Sequence, residues 1–274
     1  MAATRAVIVG VSGRMGQALV RAAGELPGLR ITAAVASAGS ASLGRDAGAL
    51  AGIEPLGVRV TSDLPAAVAG ADVVVDFSAA QAARANIAAC RAARTPLLIG
   101  TTGLAAELTE PELDAAAGEI PLLIAPNTSL GAALLTELVR RAARALPVEF
   151  DIEIIEAHHR MKRDAPSGTG LALARAAGEG RGLTPAEALA GASAGRTGPR
   201  APNAIGFAVV RGGDIVGEHT ALFAGPGEEL RLTHRAGDRA IFARGALRAA
   251  LWLRSQPPGR YDMGNIVDAD HALR

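Results

Sequence analysis

The sequence is poor in the residues that would tie it to an oxidising compartment, a membrane or a polyanion. It contains one cysteine, Cys90, so no disulfide can form within the chain. Aromatic residues make up 3% of it, and the abundance of small residues favours closely packed helices on a sheet over an aromatic sandwich. Charge of either sign is nearly balanced: 28 Lys and Arg against 27 Asp and Glu leave a net +1. No bulk field therefore recruits nucleic acid or an anionic bilayer. No apolar run reaches the ~18 residues of a membrane span. Between Arg5 and a glycine loop stand only Ala6-Val7-Ile8-Val9, so no secretory signal is expected. Hydrophobic residues at 49% and charged residues at 20% exclude a disordered chain. The expectation is a cytoplasmic globule of one large or two modest domains, with 274 residues enough to bury a core without a disulfide or metal staple.

Lysine is the scarcest charged residue. Of 28 basic residues 27 are arginine, and Lys162 is the one lysine. An ammonium can release its proton near neutral pH when its surroundings lower its pKa, which a guanidinium cannot do. The alternative is chance, since a single lysine must sit somewhere.

What is present is patterned. Apolar runs at Ala6–Val9, Ile31–Val35, Val73–Phe77, Pro96–Ile99 and Pro121–Ala125 lack two-fold alternation. They suit strands buried on both faces of a parallel sheet. Gly16–Gly24, Gln81–Arg94 and Glu110–Ala117 between them read as helices, which predicts a doubly wound α/β domain. After Asn127 the pattern changes. Ser129–Leu146 reads as a long helix with Ser129 as a cap, and Val148–Glu156 as a strand with Glu149, Asp151 and Glu153 on a wet face. Ser167–Gly178 reads as a helix and Gly180–Ala201 as a surface loop. Asn203–Val210 and Asp214–Phe223 flank Arg211-Gly212-Gly213 as a hairpin would, and Glu229–His234 adds a strand. Ile241–Leu253 returns to helix, with Trp252 as a packing anchor. The prediction is two domains: 1–128 with 240–274 as a doubly wound, parallel-sheet domain, and 129–239 as a mixed α+β domain.

The first strand runs into Gly10-Val11-Ser12-Gly13-Arg14-Met15-Gly16 and then a helix. Glycine at a strand end allows a tight turn, and bare backbone at a helix N-terminus suits a pyrophosphate. The spacing G-x-x-G-x-x-G departs from G-x-G-x-x-G, since Ser12 and Met15 take the second and third glycine places. Dinucleotide binding is the reading favoured, a structural turn the alternative. The second strand ends in Ala36-Ser37, with no acid before Asp46. A carboxylate there would read the ribose hydroxyls of NAD and repel the extra phosphate of NADP, so NADPH is expected to be accepted, alongside NADH or in its place.

Glu156 to Gly170 is the most chemically loaded stretch: E-A-H-H-R-M-K-R-D-A-P-S-G-T-G. It follows a strand end and precedes a helix start whose amides and hydroxyls suit a carboxylate or phosphate. Histidine and a lysine held among cations are both credible proton donors. Adjacent histidines on extended chain point to opposite faces, so one of the pair need not act. A solvated basic loop is the rival reading. No metal is expected, because His219, His234 and His271 are scattered and Cys90 has no second thiol nearby. Asp164 is read as a local cap or ion-pair partner, and Cys90 as core.

These residues resemble the bacterial 4-hydroxy-tetrahydrodipicolinate reductase family of lysine and diaminopimelate synthesis. Glu156–Thr169 matches the family's E-x-H-H-x-x-K-x-D-A-P-S-G-T signature. The glycine loop with Arg14-Met15, Asp76-Phe77-Ser78, Gly100-Thr101-Thr102-Gly103, Asn127 and Gly212–Thr220 follow in the family's order. The resemblance implies a Rossmann-like dinucleotide domain beside a substrate and oligomerisation domain, and NADPH or NADH as cofactor. It implies His158 as proton donor or acceptor, Lys162 as proton donor, and His159, Gly168 and Thr169 holding a small dicarboxylate. Gly10, Val11, Ser12, Gly13, Arg14, Met15, Ser37, Gly100, Thr101, Thr102, Ala125, Pro126, Asn127 and Thr128 would line the cofactor, with Arg239 and Phe242 as weaker candidates. It further implies a homotetramer; the mechanism itself predicts domain closure bringing hydride and substrate together, with hinges near 127–129 and 239–242. Two departures stand out. Ala36-Ser37 replaces an acid and arginine found in some members, and Thr128 stands where some have an aromatic. Another two-domain NAD(P)-dependent amino or imino acid dehydrogenase, or a non-catalytic dinucleotide sensor, is the alternative.

Overall fold

A computed structural model describes residues 2–193 and 200–269. The chain forms two compact units, Met1–Ser129 with Ala240–Arg274, and Leu130–Arg239. Both ends of the chain thus belong to the first unit.

The first unit is built from β1 (Thr4–Val9), α1 (Arg14–Ala23), β2 (Leu29–Val35), α2 (Ala47–Ala51), β3 (Val60–Thr61), α3 (Leu64–Val68), β4 (Val73–Asp76), α4 (Ala83–Ala93), β5 (Leu97–Ile99), α5 (Glu110–Ala117) and β6 (Pro121–Ile124). The second unit follows with α6 (Leu130–Ala145), β7 (Asp151–His158), α7 (Gly168–Gly180), α8 (Pro185–Leu189), β8 (Ile205–Arg211), β9 (Gly217–Gly225) and β10 (Glu228–Ala236). The chain then completes the first unit with α9 (Ala240–Leu253), β11 (Gly259–Tyr261) and α10 (Met263–Asp268).

Among the described residues the first unit holds a seven-stranded sheet in the order β11-β6-β5-β4-β1-β2-β3, parallel throughout. Its central strands are apolar on both faces because helices cover both: Ala6, Val7, Ile8, Val73, Val74, Val75, Leu97 and Leu98 are fully buried. The register aligns the strand ends, pairing Val9 with Val35 and Asp76, Asp76 with Ile99, and Ile99 with Ile124. Chain order reverses between β1 and β4, the position at which open α/β sheets leave a crevice. Cys90 lies in this core, its thiol pushed up to about 12 by burial and by the charge of Asp76. Trp252 is half-buried and packs edge-on against Tyr261, ring centres 5.2 Å apart. Short elements escaped the sequence reading: β3, β11, α2, α3, α8 and α10 carry too few residues to show a period. Asp46 and Asp63 cap α2 and α3 with side-chain acceptors.

In the second unit the four-stranded sheet runs β10-β9-β7-β8. The hairpin expected around Arg211-Gly212-Gly213 does not form. β7 lies between β8 and β9, pairing with the first in parallel and the second antiparallel. The glycines instead extend the β7–β8 ladder: Gly212 N–H donates to the His158 carbonyl (3.0 Å) and Arg160 N–H to that of Gly213 (3.1 Å). One sheet face packs Ile152, Ile154, Ile205, Ala221 and Phe223 beneath α6 and α7 residues such as Val139, Leu173 and Ala177. Helix α7 continues to Gly180, and α8 occupies part of the stretch expected to be a loop; 194–199 of that stretch lie outside the described residues.

Candidate active site

In the first unit the sheet gathers the predicted cofactor residues at the carboxyl ends of its strands. Gly10 N–H bonds the Val35 carbonyl (2.9 Å), Phe77 N–H that of Val9 (3.1 Å), Gly100 N–H that of Asp76 (2.9 Å) and Ala125 N–H that of Ile99 (2.9 Å). Gly10 adopts φ +82°, and a Cβ there would come within 2.7 Å of the Phe77 carbonyl oxygen. Gly16 is equally confined: its Cβ would meet the Gly10 oxygen at 2.3 Å. No side chain caps α1 at Gly13, so its first-turn amides have no side-chain acceptor there. Val11 is buried while Ser12, Gly13, Arg14 and Ser37 are exposed. Thr101 Oγ1 donates to the Ser78 carbonyl (2.9 Å). Thr128 is buried, and its hydroxyl donates to the Phe242 carbonyl (2.6 Å). Ser129 N–H donates to Asn127 Oδ1 (2.9 Å). A glycine-walled cradle, uncapped helix amides and no acid after β2 together fit a nicotinamide dinucleotide with or without the extra phosphate.

In the second unit the buried face of β7 ends in polar residues. Period two places Ile152, Ile154, Glu156 and His158 on that face, and the register sets Glu156 opposite His219 of β9 and His158 opposite Arg211 of β8. The Glu156 side chain is fully buried. Its Oε1 accepts from Arg211 Nη2 (2.7 Å) and from Ser167 N–H (3.0 Å). Its Oε2 lies against His158 Nδ1, an ion pair when the imidazole is protonated. Burial opposes ionisation of Glu156, but Arg211, the Ser167 amide and His158 outweigh it and hold the carboxyl below its usual range. His158 is lowered, first by burial; Glu156 pulls its pKa up, Lys162 and Arg211 push it down. His219 packs edge-on to His158, ring centres 5.0 Å apart, and its Nε2 bonds Ser167 Oγ (3.1 Å). Burial, then the charge of His158, drive its pKa down to about 4.

Beyond β7 the chain turns, with Lys162 N–H bonded to the His159 carbonyl (3.1 Å). Lys162 Nζ pairs with Asp164 Oδ2 (2.8 Å), the local partner expected of Asp164. Partial burial opposes ionisation of Asp164, and the lysine outweighs it. The Asp164 carbonyl accepts from Arg211 Nη2 (2.6 Å). Ser167 caps α7 by accepting from Gly170 N–H (3.1 Å), leaving Gly168 exposed at the positive end of the helix. His158 is buried and His159 half-exposed, as opposite faces require.

His158, Lys162, His159, Gly168 and Thr169 therefore share one end of the second unit, while Gly10–Met15, Ser37, Gly100–Thr102 and Ala125–Thr128 belong to the first. The sequence reading missed Arg211 and His219. The sequence pattern puts Arg211 in a turn and His219 away from the other histidines. The register overturns both: Glu156, His158 and His219 bring ligand-type atoms within 4.8 Å of one another. Oε1 of this carboxylate is engaged by Arg211 and the Ser167 amide, whereas its Oε2, His158 Nδ1 and His219 Nδ1 have no hydrogen-bond partner among the described residues. A polar residue on the buried face of a strand was the available signal. His271 lies outside the described residues.

Comparison with known proteins bears on both units. Residues 4–128 match the family model for the dihydrodipicolinate reductase N-terminus and 131–267 that for its C-terminus. A 4-hydroxy-tetrahydrodipicolinate reductase of Alkalilimnicola ehrlichii is 52% identical over 96% of this chain and 98% of its own length. The enzyme of the same name from Anaeromyxobacter dehalogenans is 49% identical over 96% and 97%. Among solved structures, a dipicolinate-bound dihydrodipicolinate reductase from a Paenisporosarcina species superposes with TM-score 0.76 at 23% identity, covering 96% of this chain and 99% of that one. An amine dehydrogenase from Mycobacterium smegmatis shares the fold more distantly, with TM-score 0.61 and 16% identity over 95% of each chain. With both halves matched in order and half the residues shared along nearly its whole length, the chain belongs to the dihydrodipicolinate reductase family.

Proposed function

We propose that this enzyme is an NAD(P)H-dependent oxidoreductase that reduces 4-hydroxy-tetrahydrodipicolinate to tetrahydrodipicolinate in lysine and diaminopimelate biosynthesis. The observation that carries the reading is the joining of His158 and Lys162, through Glu156, Arg211 and Asp164, to an α7 N-terminus suited to a carboxylate.

When bound, the dinucleotide supplies the hydride. Gly10–Met15, Ser37, Gly100–Thr102 and Ala125–Thr128 would hold it. With no carboxylate after β2 to repel an extra phosphate, NADPH is accepted, alongside NADH or in its place. The α7 start at Gly168 and Thr169, with His159, holds a substrate carboxylate. The substrate loses water as its hydroxyl departs together with a proton from the adjacent carbon, and it gains a hydride at an unsaturated carbon and a proton. His158 and Lys162 supply that proton and assist the departing hydroxyl by acid catalysis. The enzyme works in the cytoplasm as a homotetramer, and the sheet face of the second unit turned away from α6 and α7 supports self-association: Ile155, Ala208, Val210 and Leu222 lie on it, none of them buried.

The test is turnover with substrate generated in situ, following oxidation of NADPH and NADH separately. His158→Ala and Lys162→Ala are each expected to lower kcat by about 10²–10⁴-fold with dinucleotide affinity unchanged. Full turnover by both variants sinks the assignment.

A further inference from the structure

We propose that Glu156 is the positioning residue of the proton-transfer step, holding the His158 imidazole through Nδ1 while gripping the cap residue of the substrate-binding helix through Ser167 N–H. The proposal deepens the function proposed above and rests on its assignment of His158.

The geometry distinguishes Glu156 from an ordinary buried carboxylate. Its two oxygens do different work. Oε1 takes Arg211 Nη2 (2.7 Å) and the Ser167 amide (3.0 Å), which keeps the group ionised out of water. Oε2 is left for His158 Nδ1. A carboxylate on Nδ1 favours the tautomer protonated there and stabilises the imidazolium, so that Nε2 is the atom that exchanges protons. Nε2 is kept clear on one side by Gly217, where a Cβ would lie 3.2 Å from it. His219 closes the loop from the other strand, its ring edge-on to His158 and its Nε2 on Ser167 Oγ. The charged and titratable groups facing His158 are thus Glu156 on its own strand, Lys162 in the following turn, Arg211 on β8 and His219 on β9, with His234 of β10 behind His219. Glu156 is the one anion among them.

The experiment uses full-length protein and nitrogen NMR of its histidines, with His158 assigned by its loss in His158→Asn. In the unaltered protein neutral His158 is expected to carry its proton on Nδ1; a proton found on Nε2 overturns the proposal without any variant. In Glu156→Gln the His158 midpoint is expected to fall by about one pH unit or more, and in Glu156→Asp to stay near its original value. For a general acid, activity is lost as pH rises through that midpoint, so the alkaline limb of kcat should move to lower pH in Glu156→Gln, with kcat at pH 8 down about 10–100-fold. An unmoved midpoint in folded Glu156→Gln shows a merely structural carboxylate. If the unaltered protein fails to turn substrate over, the proposed function falls, while the spectrum still decides the role of Glu156.

Discussion

At the scale of single residues, the second unit ties protonation to folding. His219 titrates at about 4 in the folded chain and near the ordinary ~6.5 when unfolded. Between those values the unfolded state binds more protons, so stability is lost as pH falls through this window. The depressed pKa amounts to about 3 kcal/mol from this one ring. Buried His158 and half-buried His234 are lowered too and act in the same direction. Denaturant melts at pH 7 and pH 4.5 should show His219→Phe, which keeps an aromatic ring beside His158, losing less stability on acidification than the unaltered protein. Equal losses would place the titration elsewhere. Much of this site was legible in the sequence: the isolated lysine, the histidine pair and the helix start lie within fifteen consecutive residues. Arg211 and His219 were not, because what brings them to Glu156 is strand register, which no local pattern states.

At the scale of elements, the long buried strands could be read from apolar runs because both faces of a parallel sheet exclude water. The hairpin misreading has a physical source. Two strands close in sequence with glycines between them usually pair, but here β7, whose core face carries Ile152 and Ile154, fits between them and takes the hydrogen bonds of both. The cost falls on the connection, which bonds to the end of β7 in place of closing on itself. Helix α7 depends on its cap residue in a comparable way. Ser167 Oγ serves both the Gly170 amide and His219. Ser167→Ala should cost about 1 kcal/mol of stability for the lost cap and raise substrate KM several-fold, with dinucleotide affinity in the first unit untouched. Titrating NADPH by fluorescence alongside steady-state kinetics separates the two effects; an equal loss of NADPH affinity would contradict a role confined to α7.

At the scale of the whole molecule, the first unit is discontinuous in sequence: α9 returns after the second unit and buries Ala243, Ala246, Leu247, Ala249, Ala250 and Leu253 completely. Gly245 makes that return fit, since a Cβ there would fall 1.8 Å from the Thr128 carbonyl oxygen. The proposed tetramer is tested on the outer sheet face of the second unit. Ile155→Glu places a charge at the centre of that face. Light scattering should find a species smaller than that of the unaltered protein, with circular dichroism unchanged; an undiminished mass would put the subunit contact on another surface.

The scarcity of lysine has a practical outcome as well. A lysine-specific protease has one bond to cut in this chain, after Lys162, between the exposed residues Met161 and Arg163. The cut would separate the histidine pair from the capped start of α7, leaving fragments 1–162 and 163–274, each carrying part of both units. The rate at which those two bands appear on a gel is then a direct report of how firmly the Lys162–Asp164 turn is held, and of whether a bound dicarboxylate holds it more firmly still.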